Sequence, residues 1–280
     1  MPRRLSTRPR KIEQRLCRAS ERRYASAMHD DALLALAADL AEQAGAAILA
    51  IRARGFETRR KEDASPVTEA DHAAERLIAA GLRTATPEIP VIAEEEMAAG
   101  HVPSTAEAYW LVDPLDGTRE FAAGRDEFTV NVGLVRAGRA VLGAVGVPAS
   151  AELFAGIVGQ GAWKRDAAGT RPIAARPAPA TLHVLASRSY GDDPRLTRFL
   201  AAYHVGRITK MGSALKICRL AEGMADLYPR FGRTMEWDTA APQAVLEAAG
   251  GTLSGMTGER LRYGKPGWEN SGFVCTGRLA

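Results

Sequence analysis

Two stretches near the start of the chain have the apolar spacing of amphipathic helices. The first follows Asp30, which is placed to cap it, and ends at Gly55. Its apolar stripe comprises Leu33, Leu36, Leu40, Ala44, Ala47 and Ile51. The second opens at Thr68, and its predicted buried face comprises Ala73, Leu77, Ile78 and Leu82. Residues 59–66 are polar, and we predict that they form a loop between the two helices.

From residue 91 onward the pattern is that of strands. Residues 91–93 are a short apolar step, and residues 109–112 are an apolar run that ends at Asp113. Residues 128–134 alternate between apolar and polar, and tight turns join two further apolar runs at 141–147 and 153–158. Because tight turns join strands of opposite direction, we predict an antiparallel sheet over residues 109–164.

The second half of the chain alternates strands with helices. Residues 165–180 are rich in Pro, Ala and Gly and are the predicted junction between two domains. Beyond them, strands are predicted at 182–186, 205–209 and 225–228, and helices at 194–203, 213–222 and 239–249. This order predicts an N-terminal α+β domain over residues 29–170 and a C-terminal α/β domain over residues 181–280.

Composition places the chain among globular proteins, because 46% of its 280 residues are hydrophobic and 25% are charged. Its three cysteines are too few and too scattered for a disulfide framework or a thiolate zinc site, so a cytoplasmic location is expected. No stretch approaches 18 uncharged apolar residues, and we therefore expect no membrane span.

The net charge of +4 averages two unlike parts of the chain. Residues 1–28 hold nine basic and two acidic side chains, a charge of +7, so the remainder carries −3. We expect this extension to be poorly ordered, although a basic segment can also bind nucleic acid. It lacks the apolar core of a secretory signal, and Met28 is an alternative start of translation.

The most informative segment is the end of the strand at residues 109–113. Asp113 and Asp116 flank a proline turn, with the carbonyl of Leu115 between them. Carboxylate and carbonyl oxygens are the ligands that suit Mg²⁺. Gly117 and Thr118 follow, and their N–H groups would open a short helix, which is a phosphate site. The alternative is an Asx-type turn in which both aspartates only cap the backbone.

Three other acidic positions are candidates for the same site. Glu94 and Glu95 follow the apolar step at residues 91–93, although such a run is also typical of a solvated loop. Asp238 begins a helix, where it could equally serve as a cap. Asp71 is spaced to cap the helix that opens at Thr68. It could instead accept a hydrogen bond from Thr118, whose hydroxyl would then orient an attacking water.

Together these motifs resemble the Mg²⁺-dependent, lithium-sensitive phosphatases of the inositol monophosphatase family. The matching segments, in the family's order, are SPVTEAD at 65–71, the Glu94-Glu95 pair, WLVDPLDGTREF at 110–121 and EWDTAA at 236–241. The resemblance implies a layered αβαβα sandwich of the α+β class, like that of fructose-bisphosphatase. It would have an N-terminal antiparallel sheet and a C-terminal α/β layer.

The resemblance also implies a role for each matching residue. The Mg²⁺ ligands would be Glu94, Asp113, Asp116, Asp238 and the carbonyl of Leu115, with Glu95 a nearby acid. Asp71 and Thr118 would activate the water that attacks phosphorus, while the N–H groups of Gly117 and Thr118 hold the phosphate. One Mg²⁺ would lower the pKa of that water, and a second would stabilise the leaving alkoxide.

Residues 116–135 resemble one branch of the family, the 3′(2′),5′-bisphosphate nucleotidases of sulfur assimilation. By this resemblance Ser213, Lys216 and Arg230 would contact the second phosphate of a nucleotide, with Arg188 a weaker candidate. An exposed helix face is the alternative interpretation of Lys216.

The expected reaction is therefore hydrolysis of the 3′-phosphate of adenosine 3′,5′-bisphosphate, with 3′-phosphoadenylyl sulfate a further candidate substrate. Inositol monophosphate or another sugar phosphate is the alternative substrate. RNA binding through the basic extension is an alternative function of another class.

Overall fold

The computed structural model describes residues 28–61, 66–101, 106–189, 191 and 193–278, so the basic extension at 1–27 lies outside the described residues. The helices are α1 (Asp30–Arg54), α2 (Glu69–Ala85), α3 (Glu94–Ala98), α4 (Thr118–Ala122), α5 (Pro194–Leu200), α6 (Leu215–Ala221) and α7 (Glu236–Ala248). The first nine strands are β1 (Thr58–Arg60), β2 (Pro66–Thr68), β3 (Val91–Ala93), β4 (Ala108–Asp116), β5 (Thr129–Arg136), β6 (Arg139–Val147), β7 (Glu152–Ile157), β8 (Gly161–Asp166) and β9 (Gly169–Ile173). The others are β10 (Leu182–Ser187), β11 (Val205–Met211), β12 (Leu227–Arg230), β13 (Thr234–Met235), β14 (Thr252–Gly255), β15 (Glu269–Asn270) and β16 (Phe273–Thr276).

A seven-stranded sheet forms the first half of the fold, in the order β3-β4-β5-β6-β7-β8-β9. All neighbours are antiparallel except β3 and β4, which confirms the predicted meander. The sheet extends to Ile173, so the first part of the predicted junction at 165–180 is a hairpin. The prediction of a loop at 59–66 is wrong for the first and last residues of that range, because Arg59, Arg60 and Pro66 belong to the paired strands β1 and β2. The division into two domains stays a prediction.

Helices α1 and α2 cover one face of this sheet. The buried face of α2 comprises Ala70, Asp71, Ala74, Glu75, Ile78, Ala79 and Leu82, whereas the predicted Ala73 and Leu77 are only partly buried. The helical period places these buried residues on one stripe, which includes two acids that a purely apolar pattern omits. Asp30 is the first residue of α1 and not its cap, since His29 takes the cap position.

Helix α1 is long and apolar enough, by length and composition alone, to cross a membrane. Half of its apolar window is buried inside the fold, where Leu33, Ala37 and Ile48 are almost fully covered. The core helix of a soluble protein passes the same test, so packing on the sheet accounts for this composition.

Helix α7 covers the other face of the seven-stranded sheet at close range. A Cβ atom at Gly143 would lie 2.5 Å from the Ala241 carbonyl oxygen, and one at Gly133 would lie 2.7 Å from the Ala241 nitrogen. Only glycine leaves room for the helix backbone at these two positions. This contact brings the first turn of α7, which carries Asp238, towards the end of β4.

A second sheet of five strands, in the order β11-β10-β12-β16-β14, packs beyond α6 and α7. Its outer face is covered by α5, through Leu196 and Leu200. The molecule is therefore layered α, β, α, β, α, which confirms the predicted fold class. Two helices are shorter than predicted: α5 ends at Leu200 and α6 begins only at Leu215.

Candidate active site

A cavity of about 410 Å³ lies where the end of β4 meets the starts of α6 and α7. Ten of the predicted site residues line it: Glu94, Asp113, Leu115, Asp116, Gly117, Thr118, Ser213, Lys216, Arg230 and Asp238. Asp71 lies directly behind Thr118. The fold thus brings together residues separated by up to 167 positions in the chain.

The register of the sheet explains how the acids meet. Ala93 on β3 pairs with Val112 on β4, so Glu94 and Asp113 follow neighbouring positions on parallel strands. The pairing of β4 with β5 is irregular between Asp113 and Asp116, and Asp113 Oδ1 accepts a hydrogen bond of 3.0 Å from the Leu115 N–H. The Asx-type turn therefore exists, and both aspartates line the cavity as well.

Asp71 likewise serves two partners at once. Its Oδ2 atom accepts 2.7 Å hydrogen bonds from the N–H and the hydroxyl of Thr68, which closes the predicted helix cap. Its Oδ1 atom lies 3.1 Å from the Thr118 hydroxyl, which is also 3.1 Å from the Leu115 carbonyl oxygen. Burial raises the pKa of Asp71, a carboxyl that is only 2% exposed.

Gly117 allows the chain to turn from β4 into α4. Its φ of 94° lies in the left-handed region, and it occupies the cap position of the helix. A Cβ atom there would lie 3.0 Å from the Glu127 carbonyl oxygen and 3.3 Å from Ser213 Cβ. The backbone of this turn is therefore in close contact with the loop that carries Ser213.

The electrostatics of the cavity favour a cation. Burial, together with the charges of Glu94 and Asp116, raises the pKa of Asp113 well above its ordinary value. Burial raises the pKa of Asp238 in the same way and raises that of Asp116 to about 6. A cation among these carboxylates would relieve their repulsion and keep them ionised.

Their oxygen chemistry suits a hard divalent ion, so the residues present fit Mg²⁺. Among the described residues, however, no three His, Cys, Asp or Glu side chains form a complete ligand cluster around one point. The carboxylates line the cavity as neighbouring acids.

Asp238 lies in the first turn of α7 and is not its cap. The helix begins at Glu236, and Asp238 Oδ2 accepts a 2.9 Å hydrogen bond from the Met235 N–H. Asp116 Oδ2 accepts a 2.5 Å hydrogen bond from the Ala214 N–H. Each carboxylate therefore has one oxygen held by backbone, which fixes its direction.

Lys61 was not singled out by the sequence analysis. Its ammonium nitrogen lies 2.7 Å from Glu94 Oε1 and 2.6 Å from Glu95 Oε1. Although its own burial opposes the shift, the two carboxylates raise the pKa of Lys61. Burial raises the pKa of Glu95 to about 7. Only its place next to the SPVTEAD segment could have drawn attention to Lys61.

The three predicted substrate contacts, Ser213, Lys216 and Arg230, line the same cavity as the acids. Lys216 is 4% exposed and donates hydrogen bonds to the carbonyl oxygens of Met211 at 3.2 Å and Ser213 at 2.5 Å. The alternative of an exposed helix face is thus wrong. Burial lowers the pKa of Lys216 to about 8. Arg230 donates to the Arg233 carbonyl oxygen at 3.1 Å.

Arg188 is not among the residues that line the cavity. Arg188 Nη2 donates to both carboxylate oxygens of Glu127, each at 2.5 Å. The same carboxylate also accepts a 2.9 Å hydrogen bond from the Gly212 N–H. The pair therefore supports the loop before Ser213, and the prediction of Arg188 as a substrate contact gains no support.

Comparison with known proteins agrees with this arrangement. The model of the inositol monophosphatase family matches residues 29–278. The chain belongs to the inositol monophosphatase family. Enzymes of this family are metal-dependent phosphatases.

Within the inositol monophosphatase family, the chain is similar to enzymes named 3′(2′),5′-bisphosphate nucleotidase CysQ. It is 45% identical to the one from Salmonella typhimurium over 240 residues, which cover 85% of this chain and 96% of that protein. The crystal structure of CysQ from Bacteroides thetaiotaomicron has a TM-score of 0.75 and 34% identity, covering 89% of this chain and 98% of that one. The inositol monophosphatase from Anabaena has a TM-score of 0.71 and 25% identity, covering 88% and 90%.

Proposed function

We propose that this protein is a Mg²⁺-dependent, cytoplasmic phosphomonoesterase that removes the 3′-phosphate of adenosine 3′,5′-bisphosphate. The observation that carries the proposal is that one cavity is lined by the four predicted carboxylate ligands and by Ser213, Lys216 and Arg230. The acids suit a cation, and the bases suit a second phosphate. The similarity to enzymes named bisphosphate nucleotidases supports the choice of substrate.

Glu94, Asp113, Asp116, Asp238 and the Leu115 carbonyl would hold the metal. Bound Mg²⁺ would supply a lowered pKa for the attacking water and charge stabilisation for the leaving oxygen. The N–H groups of Gly117 and Thr118 open α4 and would bind the phosphate oxygens.

The proton of the attacking water would pass to the Asp71–Thr118 pair. The Thr118 hydroxyl donates to Asp71 Oδ1 at 3.1 Å and would orient that water by accepting a hydrogen bond from it. As the water's proton moves to Thr118, the hydroxyl's own proton would move to Asp71. Because burial raises the pKa of Asp71, its carboxylate is a stronger base than an exposed aspartate. No residue of this chain forms a covalent intermediate in this scheme.

A substrate panel tests the proposal. We expect adenosine 3′,5′-bisphosphate to have a kcat/KM at least tenfold above that of inositol 1-phosphate, with 3′-phosphoadenylyl sulfate also hydrolysed. Chelation should abolish turnover, Mg²⁺ should restore it, and lithium should inhibit it at fixed Mg²⁺. Comparable or faster turnover of inositol 1-phosphate would contradict the nucleotide assignment and favour the sugar-phosphate alternative.

A further inference from the structure

A buried acid, Glu75, lies outside the cavity, and the mechanism above does not use it. Glu75 is 4% exposed and projects from the buried face of α2. Its Oε2 atom accepts a 2.6 Å hydrogen bond from the Glu95 N–H, and its Oε1 atom accepts one of 2.8 Å from the Glu96 N–H. Both carboxylate oxygens are therefore bonded to the backbone at the start of α3.

These two bonds act on the turn that carries Glu94. The turn joins β3 to α3, and the first N–H groups of a helix have no partner within the helix itself. A carboxylate is the side chain that can accept two such N–H groups in parallel. Burying its charge is unfavourable unless both oxygens are bonded, as they are here.

The same face of α2 also carries Asp71, one helical turn before Glu75. Residues four apart in a helix lie one above the other, so the spacing between these two carboxylates is set by the helix backbone. Asp71 bonds Thr118, and Glu75 bonds the turn that begins with Glu94. One rigid helix face thus supports both the catalytic pair and the β3–α3 turn.

Lys61 acts on the same turn in a different way. It bonds the side chains of Glu94 and Glu95, whereas Glu75 bonds only backbone N–H groups. A lysine side chain has many rotamers and leaves the backbone free to shift. The hydrogen bonds between Glu75 and the backbone therefore fix the position of the main chain from which the Glu94 side chain projects.

We propose that Glu75 is a positioning residue, which holds the β3–α3 turn so that the Glu94 carboxylate lies beside that of Asp113 among the proposed metal ligands. The inference rests on the proposed function only in taking Glu94 as a metal ligand. It does not depend on which phosphate ester is hydrolysed.

The test compares Glu75→Gln with Glu69→Gln in the full-length protein. A glutamine has one oxygen and one NH₂ group, so it can accept only one of the two N–H groups and faces the other with a donor. Glu69 lies on the same helix but is exposed and pairs with Arg54, which makes it a matched control for the substitution itself. Mg²⁺ affinity is measured by calorimetry without substrate, and kcat is measured against Mg²⁺ concentration.

We expect Glu75→Gln to weaken Mg²⁺ binding at least fivefold, with kcat recovering to within about threefold of the wild type at saturating Mg²⁺. Glu69→Gln should match the wild type in both. If Glu75→Gln fails to fold, Glu75→Asp is used, because a side chain one methylene shorter keeps the charge but cannot reach both N–H groups. It should show the same loss of Mg²⁺ affinity.

A folded Glu75 variant that binds Mg²⁺ within twofold of the wild type, with only a lower melting temperature, would overturn the proposal. A wild-type protein that binds no Mg²⁺ would overturn it together with the metal assignment. Mg²⁺ binding combined with no turnover of any phosphate ester in the panel would contradict the proposed function alone.

Discussion

At the scale of single residues, one carboxylate satisfies two requirements that the sequence presents as alternatives. Asp71 caps α2 through Oδ2 and bonds Thr118 through Oδ1. A carboxylate has about four acceptor positions, so neither contact excludes the other. The cap also restrains Asp71 to one rotamer, which keeps its second oxygen directed at Thr118. A structural role and a proposed catalytic role are therefore carried by different atoms of one side chain.

Within the Asp71–Thr118 pair, the Thr118 hydroxyl is the group that would contact the attacking water. We predict that Thr118→Ala lowers kcat by about 10²–10⁴-fold with less than a threefold change in KM. The reason is that the hydroxyl orients the attacking water, whereas phosphate binding uses the backbone N–H groups. Steady-state kinetics with the best substrate of the panel measures both constants.

Thr84→Ala is the control for that variant, since its hydroxyl bonds only the Ala80 carbonyl oxygen of its own helix and is exposed. It should leave both constants unchanged. A Thr118→Ala enzyme whose loss lies entirely in KM would contradict the role of the hydroxyl in water activation.

At the scale of elements, a partly buried ion network joins the seven-stranded sheet to α6. Lys164 on β8 pairs with Glu152 on β7 and with Glu222 at the end of α6. Arg219 on α6 pairs with the same two acids, at 2.6 Å and 2.5 Å. Since α6 begins beside Ser213, this network holds the far end of the helix that leads into the cavity.

This network should make stability depend on pH. Although burial alone would raise the pKa of Glu152, hydrogen bonds from Arg219, Lys164 and Ser150 lower it to about 2. A folded-state pKa below the unfolded value of about 4.5 means that the contribution is complete above pH 5 and is lost as the pH falls towards 2. We predict that Glu152→Gln lowers the free energy of unfolding by roughly 2–3 kcal/mol at pH 7.

The difference in the free energy of unfolding between Glu152→Gln and the wild type should become smaller as the pH is lowered from 5 to 2.5. Urea unfolding at each pH measures it. Glu42→Gln is the matched control, because Glu42 pairs with Arg165 at the surface and should contribute less than about 1 kcal/mol. A gap that stays constant over this pH range would show that the charge of Glu152 is not what stabilises the fold.

At the scale of the whole molecule, the cavity draws on both sheets and on the helices between them. The acids come from the end of β4 and from the starts of α3 and α7, and the basic residues come from α6 and β12. Ten site residues from these elements, and Asp71 behind them, all lie within residues 71–238. The basic side chains that give residues 1–28 their charge of +7 lie outside the described residues.

We therefore predict that a protein beginning at Met28 retains kcat and KM within about twofold of the full-length protein. The measurement is the same substrate assay on both forms, together with RNA binding by filter retention at 50 and 200 mM salt. If the full-length protein binds RNA in a salt-sensitive way and the shorter one does not, the extension carries the alternative function. A large loss of turnover on truncation would contradict our view that the extension is dispensable for catalysis.

The sequence by itself determined the longer helices, the strands of the N-terminal meander, the family and the acids of the DPLDGT turn. These features depend on local spacing: apolar periodicity sets each element, and Asp113, Leu115 and Asp116 lie within four residues of one another. The same spacing misplaced the start of α6 by two residues and that of α7 by three, because apolar periodicity marks the buried face of a helix and not its first residue.

Only the tertiary structure decided which distant side chains meet. The folded chain places the Thr118 hydroxyl next to Asp71, 47 residues away in sequence, and pairs Arg188 with Glu127 outside the cavity lining. It also places the Glu75 carboxylate against the backbone N–H of Glu95. Such contacts follow from sheet register and from the packing of α2 and α7 on the two faces of one sheet. Apolar periodicity carries no information about them, because it specifies which face of an element is buried but not which neighbour covers it.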